Sequence, residues 1–98
     1  MCVQVYGFGS YFEGTKQCND IDLLLIHQDT SISSCKFVLR CKTELVALVP
    51  KLDISILSRT EAESLSFKEQ AEVVAIGNIC GTNFESDTRD IATKVLSF

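Results

Sequence analysis

The apolar positions along this chain alternate between a two-residue and a three-to-four-residue rhythm. Val3, Val5 and Tyr6, ending at Gly7, read as a first strand, and Gly9-Ser10 then opens a short helical segment that Gly14 and the polar stretch Thr15 to Asn19 break. A second strand is expected from Asp20 to His27. From Ser33 or Ser34 to Val49 the pattern turns helical, because Val38, Cys41, Leu45 and Leu48 recur at three- and four-residue steps and Pro50 stops the run. Leu52, Ile54 and Ile56 alternate with Asp53, Ser55 and Leu57, which is strand periodicity.

Two capping-box patterns follow, Thr60 to Glu63 and Ser66 to Glu69, each pairing a hydroxyl with a carboxylate three residues on. The second predicts a helix through Ala71, Val74 and Ala75 that Gly77 closes with a left-handed C-cap. Ile79-Cys80 reads as a very short edge strand, and Ile91, Val95 and Phe98 mark the inner stripe of a last helix from about Asp87. With no linker or repeat, the 98 residues are expected to form one α/β (α+β) domain, a small mixed β-sheet flanked by helices.

Composition narrows the function. With 46% hydrophobic and 22% charged residues the chain can bury a real core. A net charge of −4 argues against direct nucleic-acid binding, which needs a basic stripe to displace counterions. The apolar stretch Ile21 to Ile26, with Asp22 inside it, is far short of the roughly 20 residues of a membrane span. The opening Met-Cys-Val-Gln-Val has no basic region, apolar segment and cleavage site in that order, so the cytoplasm is the expected location. Cys2, Cys18, Cys35, Cys41 and Cys80 show no C-x-x-C pair and read as reduced, mostly buried thiols. His27 reads as structural or surface-exposed, and Tyr11 and Phe12 as packing residues.

Candidate chemistry lies in the acidic positions. On a strand, Asp20 and Asp22 project to one face, and two carboxylates so close are unfavourable unless a cation sits between them. Magnesium held by carboxylates and substrate phosphates is the common remedy. Gly7, Gly9 and Ser10 form a strand-to-helix turn whose amides can receive a phosphate, and Asp53 on the third strand can bring a third carboxylate. Together these parts describe a clamp for a nucleoside triphosphate.

The run Phe8-Gly9-Ser10, nine residues, then Asp20-Ile21-Asp22-Leu23 resembles the signature of the DNA polymerase β-like nucleotidyltransferase superfamily, and within it the minimal, antitoxin-like nucleotidyltransferases. The resemblance covers roughly residues 3 to 76. It implies a nucleotidyltransferase palm in which Asp20, Asp22 and Asp53 are catalytic and bind two magnesium ions, while Gly9 and Ser10 hold the triphosphate of ATP or another NTP. It implies transfer of a nucleoside monophosphate, AMP first, to a hydroxyl of a macromolecular partner, with a helical toxin-like protein as that partner. Glu13 stands where many minimal members have an arginine, and Asn19 where a serine commonly precedes the first aspartate. The charge reversal at Glu13 leaves an alternative open: a weak or inactive protein of this fold that sequesters a partner or senses nucleotide.

Overall fold

The computed structural model describes residues 1–9, 11, 12, 14, 20–65 and 73–98. Strand β1 (Cys2–Phe8) is followed by β2 (Ile21–His27), helix α1 (Ile32–Leu48), β3 (Leu52–Ser58), α2 (Arg59–Leu65), β4 (Val74–Cys80), a 3-10 turn (Gly81–Asn83) and α3 (Phe84–Leu96). The four strands form one mixed sheet in the order β3-β2-β1-β4. β1 runs antiparallel to both of its neighbours, and β2 and β3 are parallel, the helical crossover α1 joining them.

Side-chain alternation divides the sheet into two faces. Val3, Val5, Leu23, Leu25 and Ile54 point to one side, where Val38, Cys41 and Leu45 of α1 and Ile91, Ala92 and Val95 of α3 close over them as the main core. Leu24 and Ile26 point to the other side and meet Ala62 of α2, with Tyr6, Phe8 and Leu57 around them. The unbroken apolar run of β2 thus reflects a central strand covered on both faces. Leu23, Leu25 and Leu45 are fully buried, each worth about 1.5–3 kcal/mol of removed apolar surface.

The expected first, second and third strands are present, as are the helices expected from Ser33 or Ser34 to Val49 and from about Asp87, with ends shifted by a few residues and Phe98 beyond the last helix. The short helical segment expected after Gly9 is not seen, its described residues forming a bend and turn. Helix α1 starts at Ile32 because Ser31 is its N-cap, its hydroxyl accepting the Ser34 amide at 3.2 Å. Helix α2 has its capping box at Ser58 and Glu61, two residues before the pattern read at Thr60 and Glu63: Ser58 Oγ accepts the Glu61 amide, and Glu61 Oε1 accepts the Ser58 amide at 3.0 Å.

Two further expectations are corrected. Val74, Ala75 and Gly77 belong to strand β4 and not to a helix, and Gly77 is no C-cap. The β1–β4 register slips between Val5 and Tyr6, paired with Gly77 and Ala75, so Ile76 is the extra residue of a bulge. Buried Ile76 and Ile79 consequently stand three residues apart, a helical spacing produced by a strand. Gly77 serves close packing, since a Cβ there would lie 2.9 Å from Ile91 Cδ1 of α3. The Ser66–Glu69 box and Ala71 lie outside the described residues.

The second correction concerns the thiols. Cys2 and Cys80 face each other in the β1–β4 register and form a disulfide across a sequence separation of 78, so these two are not reduced. Cys35 and Cys41 are free, and Cys18 lies outside the described residues.

Candidate functional site

The parallel register of β2 and β3 sets Asp22 directly beside Asp53. That register begins at the turn after α1, where Lys51 adopts a left-handed φ of 65° and its carbonyl accepts the Ile21 amide at 2.9 Å. A non-glycine residue with positive φ is uncommon, and here it starts β3 level with β2. Asp22 and Asp53 lie on the α2 face, at the end of the sheet away from the Ile26–Ala62 cluster. Asp20 is exposed and just precedes β2, one residue outside the strand expected to contain it.

From the other side, β1 delivers Phe8 opposite Asp22, and Gly9 turns the chain with φ 82°. A Cβ on Gly9 would lie 2.7 Å from Asp22 Oδ2, so the carboxylate occupies the space that glycine leaves open. The Gly9 carbonyl accepts the Phe12 amide at 3.2 Å, closing a tight turn. Ser10, the second expected phosphate-binding residue, lies outside the described residues, as do Glu13 and Asn19.

Aromatic side chains anchor this turn. Tyr11 donates its hydroxyl to the Val95 carbonyl of α3 at 2.8 Å. The Phe12 ring fills the position of a side chain on Gly7 and meets Phe98 edge-on at 4.9 Å. The packing role expected of Tyr11 and Phe12 is what they have.

Electrostatics mark Asp22 as the strained member. Burial holds its carboxyl above the usual range, and the negative charges of Asp53 and then Asp20 push the same way. Asp22 is thus the carboxylate on which the charges of the other two act. Among the described residues, however, no group of three His, Cys, Asp or Glu side chains is assembled to hold a metal ion. The donor set is of the right kind for magnesium, with hard carboxylate oxygens and excess negative charge, and substrate phosphate oxygens would have to complete it.

His27 is buried on the opposite face, its Nδ1 2.8 Å from Ser34 Oγ, which also accepts the Asp29 amide at 3.3 Å. It pins β2 to the start of α1. Burial raises the Cys41 thiol to about 12, which makes it inert as a nucleophile. A surface cavity of about 420 Å³ is lined by Ala75, Ile76, Thr93, Lys94, Ser97 and Phe98, and none of the candidate residues lines it.

Sequence reasoning missed Lys51 and the Cys2–Cys80 pair, and it read Gly7 as part of the turn where the structure sets it in β1 against the Phe12 ring. Nothing local announced the positive φ of Lys51 or the disulfide. No family model matches the chain, and neither a curated protein nor a solved structure matches it. No helix among the described residues is long and apolar enough to cross a membrane.

Proposed function

We propose that this chain is a metal-dependent nucleotidyltransferase with a polymerase β-like palm, moving AMP from ATP to a hydroxyl of a macromolecular partner. The observation that carries the reading is the wedge at Asp22, held between the left-handed Gly9 turn and Asp53. A left-handed turn beside a carboxylate pair supports the reading, because a triphosphate with its cations needs backbone amides next to carboxylates. Asp20, Asp22 and Asp53 would hold two magnesium ions, with Asp53 nearest the attacking hydroxyl, and Gly9 with Ser10 would hold the phosphates. Magnesium would supply Lewis-acid polarisation of the phosphates and stabilise the leaving pyrophosphate. The partner presenting the hydroxyl is a helical toxin-like protein, this chain acting as the antitoxin of the pair in the cytoplasm.

Glu13 carries a second reading, in which the chain binds nucleotide or partner without turnover. One experiment separates them: transfer of label from α-labelled ATP, GTP, CTP and UTP with magnesium into a lysate of the source cell, with Asp20→Asn/Asp22→Asn as control. A labelled band that vanishes in the control supports the enzyme. Magnesium-dependent nucleotide binding without transfer supports the sequestering or sensing protein, and absence of both overturns the two together.

A further inference from the structure

Helix α1 has a second apolar stripe besides the one it buries. Its buried positions are Ser34, Val38, Cys41 and Leu45. Ile32, Leu39 and Val46 are 75%, 54% and 48% exposed, and they follow one another at seven-residue steps. Seven residues are close to two turns, so these three side chains stand in one row over about 21 Å of helix. Cys35, half-buried, falls in the same row one turn after Ile32. On the opposite flank of the helix, Phe37 and Arg40 are engaged with Phe84 of α3, the guanidinium lying 3.9 Å from the ring centroid. The exposed row has no such neighbour among the described residues.

Charge says what kind of surface would cover it. Helical periodicity places Lys36 along one border of the row and Lys42 along the other. Lys36, Arg40 and Lys42 against Glu44 alone give α1 a net charge of +2, in a chain whose total is −4. A second copy of α1 is a poor occupant: an antiparallel pair centred on Leu39 sets Lys36 against Lys42 at both ends, and a parallel pair sets each lysine against itself.

We infer that the Ile32–Leu39–Val46 row is a docking seam for a helix of a different protein, one whose own apolar seam repeats every seven residues and is bordered by aspartates and glutamates. The row stands on the main-core side of the sheet, whereas Asp22 and Asp53 occupy the other face, so a partner held there leaves the candidate site open. The inference does not rest on nucleotidyl transfer.

The test uses the full chain and two synthetic helical peptides of about three heptads, identical in their leucine seam but bordered by glutamates in one and lysines in the other. Fluorescence anisotropy is expected to show the acidic peptide binding about tenfold more tightly than the basic one at low salt, the gap narrowing as salt screens it. Leu39→Glu, at an exposed position, should abolish binding with an unchanged circular dichroism spectrum. Lys36→Glu/Lys42→Glu should invert the preference towards the basic peptide. Equal affinity for both peptides, or no saturable binding of either, overturns the inference. A wild-type dimer in sedimentation that Leu39→Glu dissolves overturns it in favour of a second copy. None of these readouts uses nucleotide, so failure here and failure of the transferase reading are told apart.

Discussion

Asp22 is the residue at which stability and the proposed chemistry oppose each other. Its folded carboxyl titrates above the usual range, chiefly through burial and then through Asp53 and Asp20. The fold therefore holds that proton to a higher pH than the unfolded chain does, and the stability this confers is present at low pH and lost as pH rises through the folded value. Asp22→Asn removes the loss, and at neutral pH without magnesium it is expected to raise Tm by about 2 °C, a small effect because the group is only half-buried. With ATP and magnesium the order should reverse, since ligand stabilises only the chain that binds it. A variant that melts at the wild-type temperature at both pH 4 and pH 8 would contradict the origin assigned to the shift. Gly9→Ala should cost about 1–2 kcal/mol for a left-handed backbone alone, and the approach of its Cβ to Asp22 Oδ2 adds to that. In a double-mutant cycle, Gly9→Ala with Asp22→Ala should therefore be less damaging than the sum of the two single effects. The nearness of Gly9 to Asp22 was legible because both belong to neighbouring strand ends close in sequence, whereas Asp20, expected within the strand, just precedes it. Asp53 could be placed beside them only once strand register was known, and that register depends on Lys51, whose positive φ no residue type signals.

Among the elements, those with an uninterrupted period were legible and those with a broken one were not. The helix from Ile32 to Leu48 and the strand from Leu52 to Ser58 each bury one regular stripe. Strand β4 has a bulge at Ile76, so its buried Ile76 and Ile79 imitate one turn of a helix, and Gly77 between them reads as a terminator while admitting Ile91 of α3. The start of α2 misleads in a milder way, because Ser58 and Thr60 are both followed three residues later by glutamate. Only the first pair makes the reciprocal bonds, since Ser58 ends β3 buried and directed at the first turn of the helix. Ser58→Ala is expected to cost about 1 kcal/mol, a fall in Tm of about 4–8 °C for a domain of this size. Thr60→Ala, on the exposed helix surface, should stay within about 0.5 kcal/mol of wild type. Equal losses at the two positions in urea denaturation would return the cap to Thr60. The Glu61 carboxyl is held below its usual range chiefly by accepting the Ser58 amide, so its contribution is present above the unfolded value and disappears as pH falls through the folded one. Ser58→Ala keeps that amide, so the check is Glu61→Gln, whose stability should lack this acid dependence.

At the scale of the whole molecule, β1 connects two ends of the sheet that do different work. Its C-terminal end leads to Gly9 and Asp22, and its N-terminal end is tied to β4 by Cys2–Cys80, with the Gly81 amide donating to the Met1 carbonyl beside the bond at 2.9 Å. A bond spanning 78 positions is invisible to local pattern, because it follows from β4 being a strand and from its pairing with β1. In the chain-entropy account a cross-link closing so long a loop restricts the unfolded chain strongly, and disulfides of this kind contribute about 2–4 kcal/mol. Thermal unfolding with and without reductant is therefore expected to differ by at least about 8 °C. Cys2→Ser/Cys80→Ser should melt with reduced wild type and show no response to reductant. The sheet itself should survive reduction, because β1 remains hydrogen-bonded to β2 along Gln4 to Phe8 and α3 still packs over Val3 and Val5. Nucleotide binding well below the reduced Tm should accordingly change little, which separates a cross-link that stabilises the fold from one that shapes the site. If wild type melts identically with and without reductant and both thiols react with maleimide before any reductant is added, the bond does not form in solution. The expectation of reduced thiols then returns, and the β1–β4 edge must be held by its backbone ladder, the Gly81–Met1 bond and the packing of α3 alone.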